Sequence, residues 1–245
     1  YVRVRHRLDS TNGNGNWGRS TMYDDGSSGG DLIANDGVYT AILSNYNRQG
    51  NIAQFYVEAS SKDDQITMMP KLGPERPAMF IVDGREMKDN LLRERLILSN
   101  YDRRALSSGG GSSYDYKFPR MSNHYFNATF IANESEIFYN AEIRKSGSPF
   151  TRDGGSSLAH GKWKLPGDRL FRERRRNVFD ASGTSEGSGT PRFYDDRIAR
   201  HFLYQLGHPV NEMEYVHFAV NGDAFKLREN HEPISNDFLN RNFEN

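Results

Sequence analysis

The chain has 245 residues, which corresponds to about one and a half domains of typical size. Its 32 Lys and Arg residues balance 32 Asp and Glu residues, so the chain as a whole has no positive field that would favour binding to nucleic acid. The absence of cysteine excludes disulfides and thiolate chemistry. The longest apolar run, residues 78–82, is far shorter than the roughly 18 to 20 residues of a membrane-spanning helix. We therefore expect no transmembrane segment.

Residues 1–64 have the pattern of a β-sandwich module. Residues 2–8 and 53–59 alternate between apolar and polar types, and residues 37–43 are rich in β-branched and aromatic types. Clusters of Gly, Asn and Asp separate these segments at the spacing of a sandwich. Three prolines then fall within residues 65–78, and prolines favour an extended connection because they cannot continue a strand ladder. We predict a linker there.

Residues 79–245 are predicted to form a second module of mixed α and β structure. A short helix is expected over residues 87–98, and strands are expected over residues 125–131 and 137–144. In the second of these strands four residues alternate and should therefore share one face of a sheet. These residues are Ile137, Tyr139, Ala141 and Ile143.

The strongest helical pattern in the chain covers residues 193–206. Apolar residues recur there at helical spacing, and Gly207 supplies a stop. Residues 214–220 and 224–228 then read as two strands joined by Asn221-Gly222, which is a strong hairpin signal. Gly- and Ser-rich stretches at 107–113, 147–161 and 181–190 are expected to be loops.

An acidic segment in the first module is a candidate calcium site. Asp24, Asp25, Asp31 and Asp36 fall within thirteen residues, and no Lys or Arg lies between positions 22 and 47. Hard carboxylate oxygens without counter-ions suit Ca²⁺, although the spacing is not that of an EF-hand. The alternative is that these side chains accept backbone N–H bonds in Asx-turns.

A basic segment covers residues 162–176, where seven positive charges face two negative ones. Such a patch can hold phosphates, and the interleaved Trp163 and Phe171 would suit stacking on nucleotide bases. The alternative is an ordinary solvated face. Lys164 stands out because it lies between apolar neighbours in a strand-like segment.

Six short blocks of the second module carry a resemblance to a known family. They are residues 140–148, 163–165, 196–199, 206–209, 216–222 and Glu229. These blocks resemble successive blocks of the CotH (spore coat protein H-like) family of atypical, secreted or surface protein kinases. Their order and spacing match over roughly residues 95–245. Residues 22–26 and 35–41 are similar to the β-sandwich module that often precedes this kinase region in large bacterial extracellular proteins.

The resemblance implies the small lobe of a kinase-like fold, truncated, with an antiparallel sheet and a helix. It implies ATP with Mg²⁺ or Mn²⁺ as cofactors, a protein substrate, and an extracellular or cell-surface location in bacteria. On this reading Lys164 contacts the nucleotide phosphates. Arg144 either contacts phosphate or has a structural role, and Lys162 and Glu229 complete the nucleotide-binding set.

The same resemblance implies that this chain has no catalytic residue of its own. The metal-binding carboxylates of the family follow the last residue of this sequence, so we expect the chain alone to lack phosphotransferase activity and to be a piece of a longer protein. The alternative function is a non-catalytic surface or adhesin module that binds a glycan or a protein. Binding to nucleic acid through residues 162–176 is a third reading and should weaken steeply with salt.

Overall fold

The structure is a computed structural model that describes residues 1–10, 13, 15–44, 46–84, 90–107, 123–147, 160–181 and 194–243. The strands are β1 (Val2–Leu8), β2 (Gly18–Thr21), β3 (Ile52–Ser60), β4 (Ile66–Met69), β5 (Ala78–Ile81), β6 (Leu92–Ile97), β7 (Phe126–Ala132), β8 (Glu136–Lys145), β9 (Gly161–Lys164), β10 (Arg176–Asp180), β11 (Met213–Val220) and β12 (Lys226–His231). The helices are α1 (Asn100–Ser107), α2 (Asp195–Gln205) and α3 (Asn236–Asn242), with a 3-10 turn at Gly73–Glu75. The fold is mainly β, as the sequence predicts. The three predicted Gly- and Ser-rich loops lie mostly outside the described residues.

The first five strands form one antiparallel sheet. Its order is β2-β1-β3-β4, and β5 also pairs with β3, so the strands predicted over residues 2–8 and 53–59 are confirmed. Residues 37–43 are not a strand, because only Thr40 pairs, in an isolated bridge with Tyr23. Within the described part of this module there is one sheet, so the second sheet of the predicted sandwich is not found there.

The proline-rich segment belongs to this first sheet and is not a free linker. β4 pairs with the carboxyl-terminal half of β3, and β5 pairs with its amino-terminal half. The prolines are compatible with this pairing because they lie between the strands: Pro70 directly follows β4, and Pro74 lies in the 3-10 turn. The ladder is therefore interrupted at the prolines and resumes after them.

The remaining seven strands close into a barrel, whereas the sequence predicts an antiparallel sheet beside a helix. The order around the barrel is β10-β12-β11-β6-β7-β8-β9, and β10 pairs with β9 to complete the ring. All pairs are antiparallel except β6 with β11. Large apolar side chains from six of the seven strands, all but β12, fill the interior, as is usual for a barrel of this size. They include Leu96, Phe130, Phe138, Ile143, Trp163, Phe179 and Phe218.

The predicted helix over residues 87–98 is wrong in the part that the structure describes. Residues 85–89 lie outside that part, and Leu92–Ile97 is strand β6. Leu92 and Leu96 face the barrel interior, while Ile97 faces the first sheet. Three charged residues occupy the middle of β6, and two of them, Glu94 and Arg95, are buried. The apolar residues of this segment therefore do not recur with a period of two, and the sequence does not separate a strand from a helix.

The predicted single face of β8 is also wrong, because a β-bulge interrupts the alternation. Asn140 has a φ of +58°, and the register with β7 shifts by one residue at this point. An extra residue moves the following side chains to the opposite face. Ala141 and Ile143 therefore lie inside the barrel, whereas Tyr139 lies outside and contacts the ring of Phe55 at 5.7 Å.

The first sheet and the barrel share a buried contact. Ile52, Met79 and Ile97 form a small apolar cluster between them. The backbone N–H of Met79 donates to Thr129 Oγ1 at 2.9 Å, and Asn127 Nδ2 donates to the carbonyl of Pro77 at 2.9 Å. These contacts hold the start of β5 against the outside of β7.

Helix α2 confirms the helix predicted over residues 193–206, but its apolar stripe is not covered by the rest of the described chain. Ile198, Phe202 and Leu206 have relative exposures of 51%, 61% and 73%. Arg200 fixes the opposite side of the helix by donating to the carbonyl of Asn211 at 3.2 Å. The described helices are all too short or too polar to cross a membrane.

Candidate functional site

The three basic residues of the predicted nucleotide site lie together on the outside of the barrel. Arg144 on β8 stands opposite Lys162 on β9, and Glu142 stands opposite Lys164. Trp163 is buried in the core, so both lysines on either side of it must point outward. We call Arg144, Lys162 and Lys164 the basic row.

The side chains of the basic row are held by an aromatic ring and by polar partners. The Lys164 ammonium lies 4.4 Å from the centre of the Tyr125 ring, and the Arg144 guanidinium lies 5.3 Å from the same centre. Arg144 also donates to Asn123 Oδ1 at 2.7 Å. Both cations therefore lie over the Tyr125 ring, and the electrons of the ring attract their positive charges.

Lys164 has a carboxylate partner that the predicted site did not include. Its Nζ lies 2.5 Å from Glu142 Oε2, and Arg76 forms a second ion pair with Glu142 Oε1. Burial acts to raise the pKa of the Glu142 carboxyl, but the bonds from Lys164 and Arg76 outweigh burial and leave this pKa below its ordinary value. Glu142 is therefore a firmly ionised counter-ion between two cations.

Glu229 lies on the same outer face, two strands away from the basic row. Val178 on β10 pairs with Lys162 on one side and with His231 on the other, so all three point outward. Glu229 is two residues before His231 and therefore also points outward. Its pairing partner on β10 is Asp180.

Acidic neighbours surround Glu229 in a partly desolvated position. The residue is only 4% exposed. Burial, followed by the charges of Asp196 and Asp180, raises the pKa of its carboxyl to about 7, while Arg200 opposes the rise. His160 Nδ1 lies 2.7 Å from Asp180 Oδ1. Glu229 therefore keeps its proton to a higher pH than an ordinary glutamate does.

The basic segment 162–176 does not form one exposed patch. Arg174 is buried, and Arg172 forms an ion pair with Glu214. Trp163 and Phe171 lie in the barrel core, with ring centres 4.1 Å and 5.2 Å from that of Phe130. These two aromatic rings are therefore not available for stacking on bases, contrary to the expectation from their interleaved positions.

Three of the four predicted calcium ligands come together. The carboxylates of Asp24, Asp31 and Asp36 each offer an oxygen within 4.8 Å of the others. Backbone amides orient them: Gly26 N–H donates to Asp31 Oδ2 at 2.5 Å, and Asp36 N–H donates to Asp24 Oδ1 at 3.1 Å. An Asx-type bond, as expected in the alternative, is present in the same loop, because Val38 N–H donates to Asp36 Oδ1 at 2.8 Å.

Asp25 is separate from this group. Its Oδ1 accepts the backbone N–H groups of Ser28 at 2.6 Å and Ser27 at 2.9 Å. Hydrogen bonds from Ser28 and then Ser27 lower the pKa of Asp25 to about 2. Asp25 therefore serves an exposed turn, and its inclusion among the calcium ligands has no support in this geometry.

Sequence reasoning missed Glu142, Tyr125 and Arg76. Glu142 lies within a block that carries the family resemblance, and its outward position follows from Ile143 being inside. No local signal relates Arg76 to this site, because it reaches Glu142 only through the packing of the first sheet on the barrel. No protein-family model matches the chain, and no curated protein does, so the CotH resemblance stays a prediction based on the residue blocks above.

Proposed function

We propose that this chain is the nucleotide-binding part of a secreted or surface CotH-like protein kinase, and that the basic row binds the phosphates of ATP. The observation that supports the proposal is the position of Arg144, Lys162 and Lys164 on the same outer face of two paired strands. Their charges sum to three, and only Glu142 among their described close contacts is an acid. A polyanion therefore meets net positive charge here.

Phosphate binding needs charge and hydrogen-bond donors more than it needs covalent chemistry. Arg144 offers a planar guanidinium and the two lysines offer ammonium groups, and all three side chains are half-buried. Hydrogen bonds between charged groups at partly shielded positions contribute more than neutral ones. In phosphoryl transfer such groups position the nucleotide and neutralise its charge.

The described residues around the basic row do not form a binding site for the nucleotide's metal. Asp24, Asp31 and Asp36 are the described group that brings three acidic or histidine ligands within 4.8 Å, and they belong to the first sheet's module. Asp180 and Glu229 lie on the outer face that carries the basic row, but within the described part of the chain they do not belong to a group of three such ligands. Mg²⁺ or Mn²⁺ would therefore arrive with the nucleotide or be held by other carboxylates.

Binding of ATP to the 245-residue chain tests the proposal. Isothermal titration calorimetry at low ionic strength, with and without Mg²⁺, should detect binding that weakens as salt is added. Lys162→Ala and Lys164→Ala should each weaken binding roughly ten- to a hundredfold, since a hydrogen bond to a charged group contributes about 1.5 to 3 kcal/mol. Lys71→Ala, an exposed lysine between β4 and the 3-10 turn, is the matched control and should have no effect.

The same titration distinguishes this function from the alternative. Nucleotide binding by the basic row would be refuted if the chain did not bind ATP at low salt. It would also be refuted if Lys71→Ala lost as much affinity for ATP as Lys162→Ala and Lys164→Ala. A non-catalytic module that binds a glycan or protein would then be the better reading.

A further inference from the structure

We propose that Glu142 regulates the basic row by competing with bound anions for Lys164, and that Arg76 sets the strength of this competition. This inference rests on the proposed function in one respect, because the basic row must bind anions for the competition to have an effect. Its structural basis is independent of that function. Glu142 lies between Lys164 of the barrel and Arg76 of the first sheet's module, and it contacts each cation with a different oxygen.

The carboxylate of Glu142 occupies the position that an anion needs. Its Oε2 lies 2.5 Å from Lys164 Nζ, and its side chain is only 15% exposed. Partial burial reduces screening by water, so the pair is stronger than an exposed one. A phosphate oxygen that binds Lys164 must therefore weaken or replace this contact.

Arg76 draws the same carboxylate in another direction. It pairs with Oε1, so the negative charge of Glu142 is divided between two cations. Without Arg76, the whole charge would act on Lys164, and Glu142 would be a stronger competitor. Without Glu142, Lys164 would have no acidic partner among its described contacts. The two changes should therefore have opposite effects on the availability of Lys164.

The position of Arg76 connects this competition to the first sheet. Arg76 directly follows the 3-10 turn and precedes β5, which pairs with β3. Pro77, the next residue, accepts a hydrogen bond from Asn127 on β7. Docking of the first sheet on the barrel therefore brings Arg76 to Glu142. A change in that docking would change the access of anions to Lys164.

Chemical labelling of Lys164 tests the competition without any need for anion binding. Acetylation by low concentrations of acetic anhydride would be followed by mass spectrometry in the full chain, with the exposed Lys62 and Lys71 as internal references. We expect the rate at Lys164 to be several-fold higher in Glu142→Gln and several-fold lower in Arg76→Ala than in the unaltered chain. Any other order of the three acetylation rates at Lys164 overturns the inference.

A matched ion pair controls for general effects of removing charges. Arg5 and Glu58 form a 3.1 Å ion pair in the first sheet. Arg5→Ala and Glu58→Gln should leave the labelling of Lys164 unchanged, and an equal change in these variants would overturn the inference. Circular dichroism of each variant would establish that the fold is retained. If Arg76→Ala does not fold, Arg76→Lys, which keeps the charge and shortens the reach, should give the smaller decrease.

Titration with inorganic pyrophosphate separates the failure of this inference from failure of the proposed function. We expect the affinity to rise several-fold in Glu142→Gln and to fall several-fold in Arg76→Ala. If the unaltered chain and all variants bind no pyrophosphate, the proposed function fails, while the labelling order still decides whether Glu142 and Arg76 control Lys164. If both variants bind pyrophosphate more weakly, Glu142 supports the site and competition is refuted.

Discussion

Glu94 should make the chain less stable as the pH rises towards neutrality. The residue lies on β6, is 1% exposed, and accepts a hydrogen bond from Asn230 Nδ2 at 2.5 Å. Burial raises the pKa of its carboxyl from 4.5 to about 7, against the opposing effects of Asn230, Arg172 and Arg174. The folded chain therefore holds a proton at this position more tightly than the unfolded chain does.

The sign and size of the effect follow from this difference. Below pH 4.5 the carboxyl is protonated in both states, and the stabilising effect of the proton is fully present. As the pH rises, the unfolded chain loses the proton first, so the free energy of unfolding falls until the pH passes the folded pKa. Each tenfold difference in proton affinity contributes about 1.4 kcal/mol, so the total loss is about 3 kcal/mol.

Glu94→Gln should remove this part of the pH dependence. Glutamine cannot ionise, and its side-chain oxygen can still accept the bond from Asn230. Urea unfolding followed by circular dichroism between pH 4 and pH 8 should find a flatter profile, with little change at pH 4 and a gain of up to about 3 kcal/mol at pH 8. Glu229, whose pKa is also raised to about 7, retains a slope of the same sign. Glu75→Gln, at an exposed position, is the control. If the free energy of unfolding fell equally steeply with pH in the unaltered chain and in Glu94→Gln, the reasoning would be refuted.

Three further predictions concern the bulge, the acidic loop and α2. Asn140→Ala should lower the free energy of unfolding by about 1 kcal/mol because alanine is strained at a φ of +58°, whereas Asn140→Gly should cause no such loss; equal effects in denaturant would contradict the assignment of strain. Ca²⁺ should raise the melting temperature of the unaltered chain, not of Asp31→Asn, and Asp25→Asn should respond like the unaltered chain; no shift with Ca²⁺ would refute the site. Phe202→Ser should change the free energy of unfolding by less than about 0.5 kcal/mol because the side chain is 61% exposed, and a loss above 2 kcal/mol in urea would show that this surface is covered.

The elements that the sequence predicts correctly are those whose residue types alternate. The 214–220 strand alternates because Val216 and Phe218 enter the barrel. β3 also alternates in sequence, although its buried positions include Gln54 and Glu58 while Phe55 and Val57 are only half-buried. The apolar residues of β6 do not recur with a period of two, so its pattern does not separate a strand from a helix. Barrel closure itself depends on pairing between distant segments, which no local pattern encodes.

Strand alternation alone predicts which side chains of the candidate site point outward. Once Trp163 is inside, Lys162 and Lys164 must be outside, and the basic row follows from the pairing of two strands. The partner of Lys164 was not predictable in the same way. Arg76 meets Glu142 only because two sheets dock, and the exposure of Phe202 contradicts the usual rule that a helix turns its apolar side inward.

The parallel pair β6–β11 has a consequence for how the chain folds. Leu92 is the register partner of Val216, which lies more than 120 residues further along the chain. Asn221 Oδ1 accepts a hydrogen bond from the backbone N–H of Leu98 at 2.8 Å. Contacts between such distant segments carry a large loop-closure cost and slow the folding of a domain. During synthesis β6 has no parallel partner until β11 has left the ribosome. Until that time the unpaired backbone N–H and C=O groups along one edge of β6 are open to wrong pairing, including pairing with β6 of a second copy of the chain.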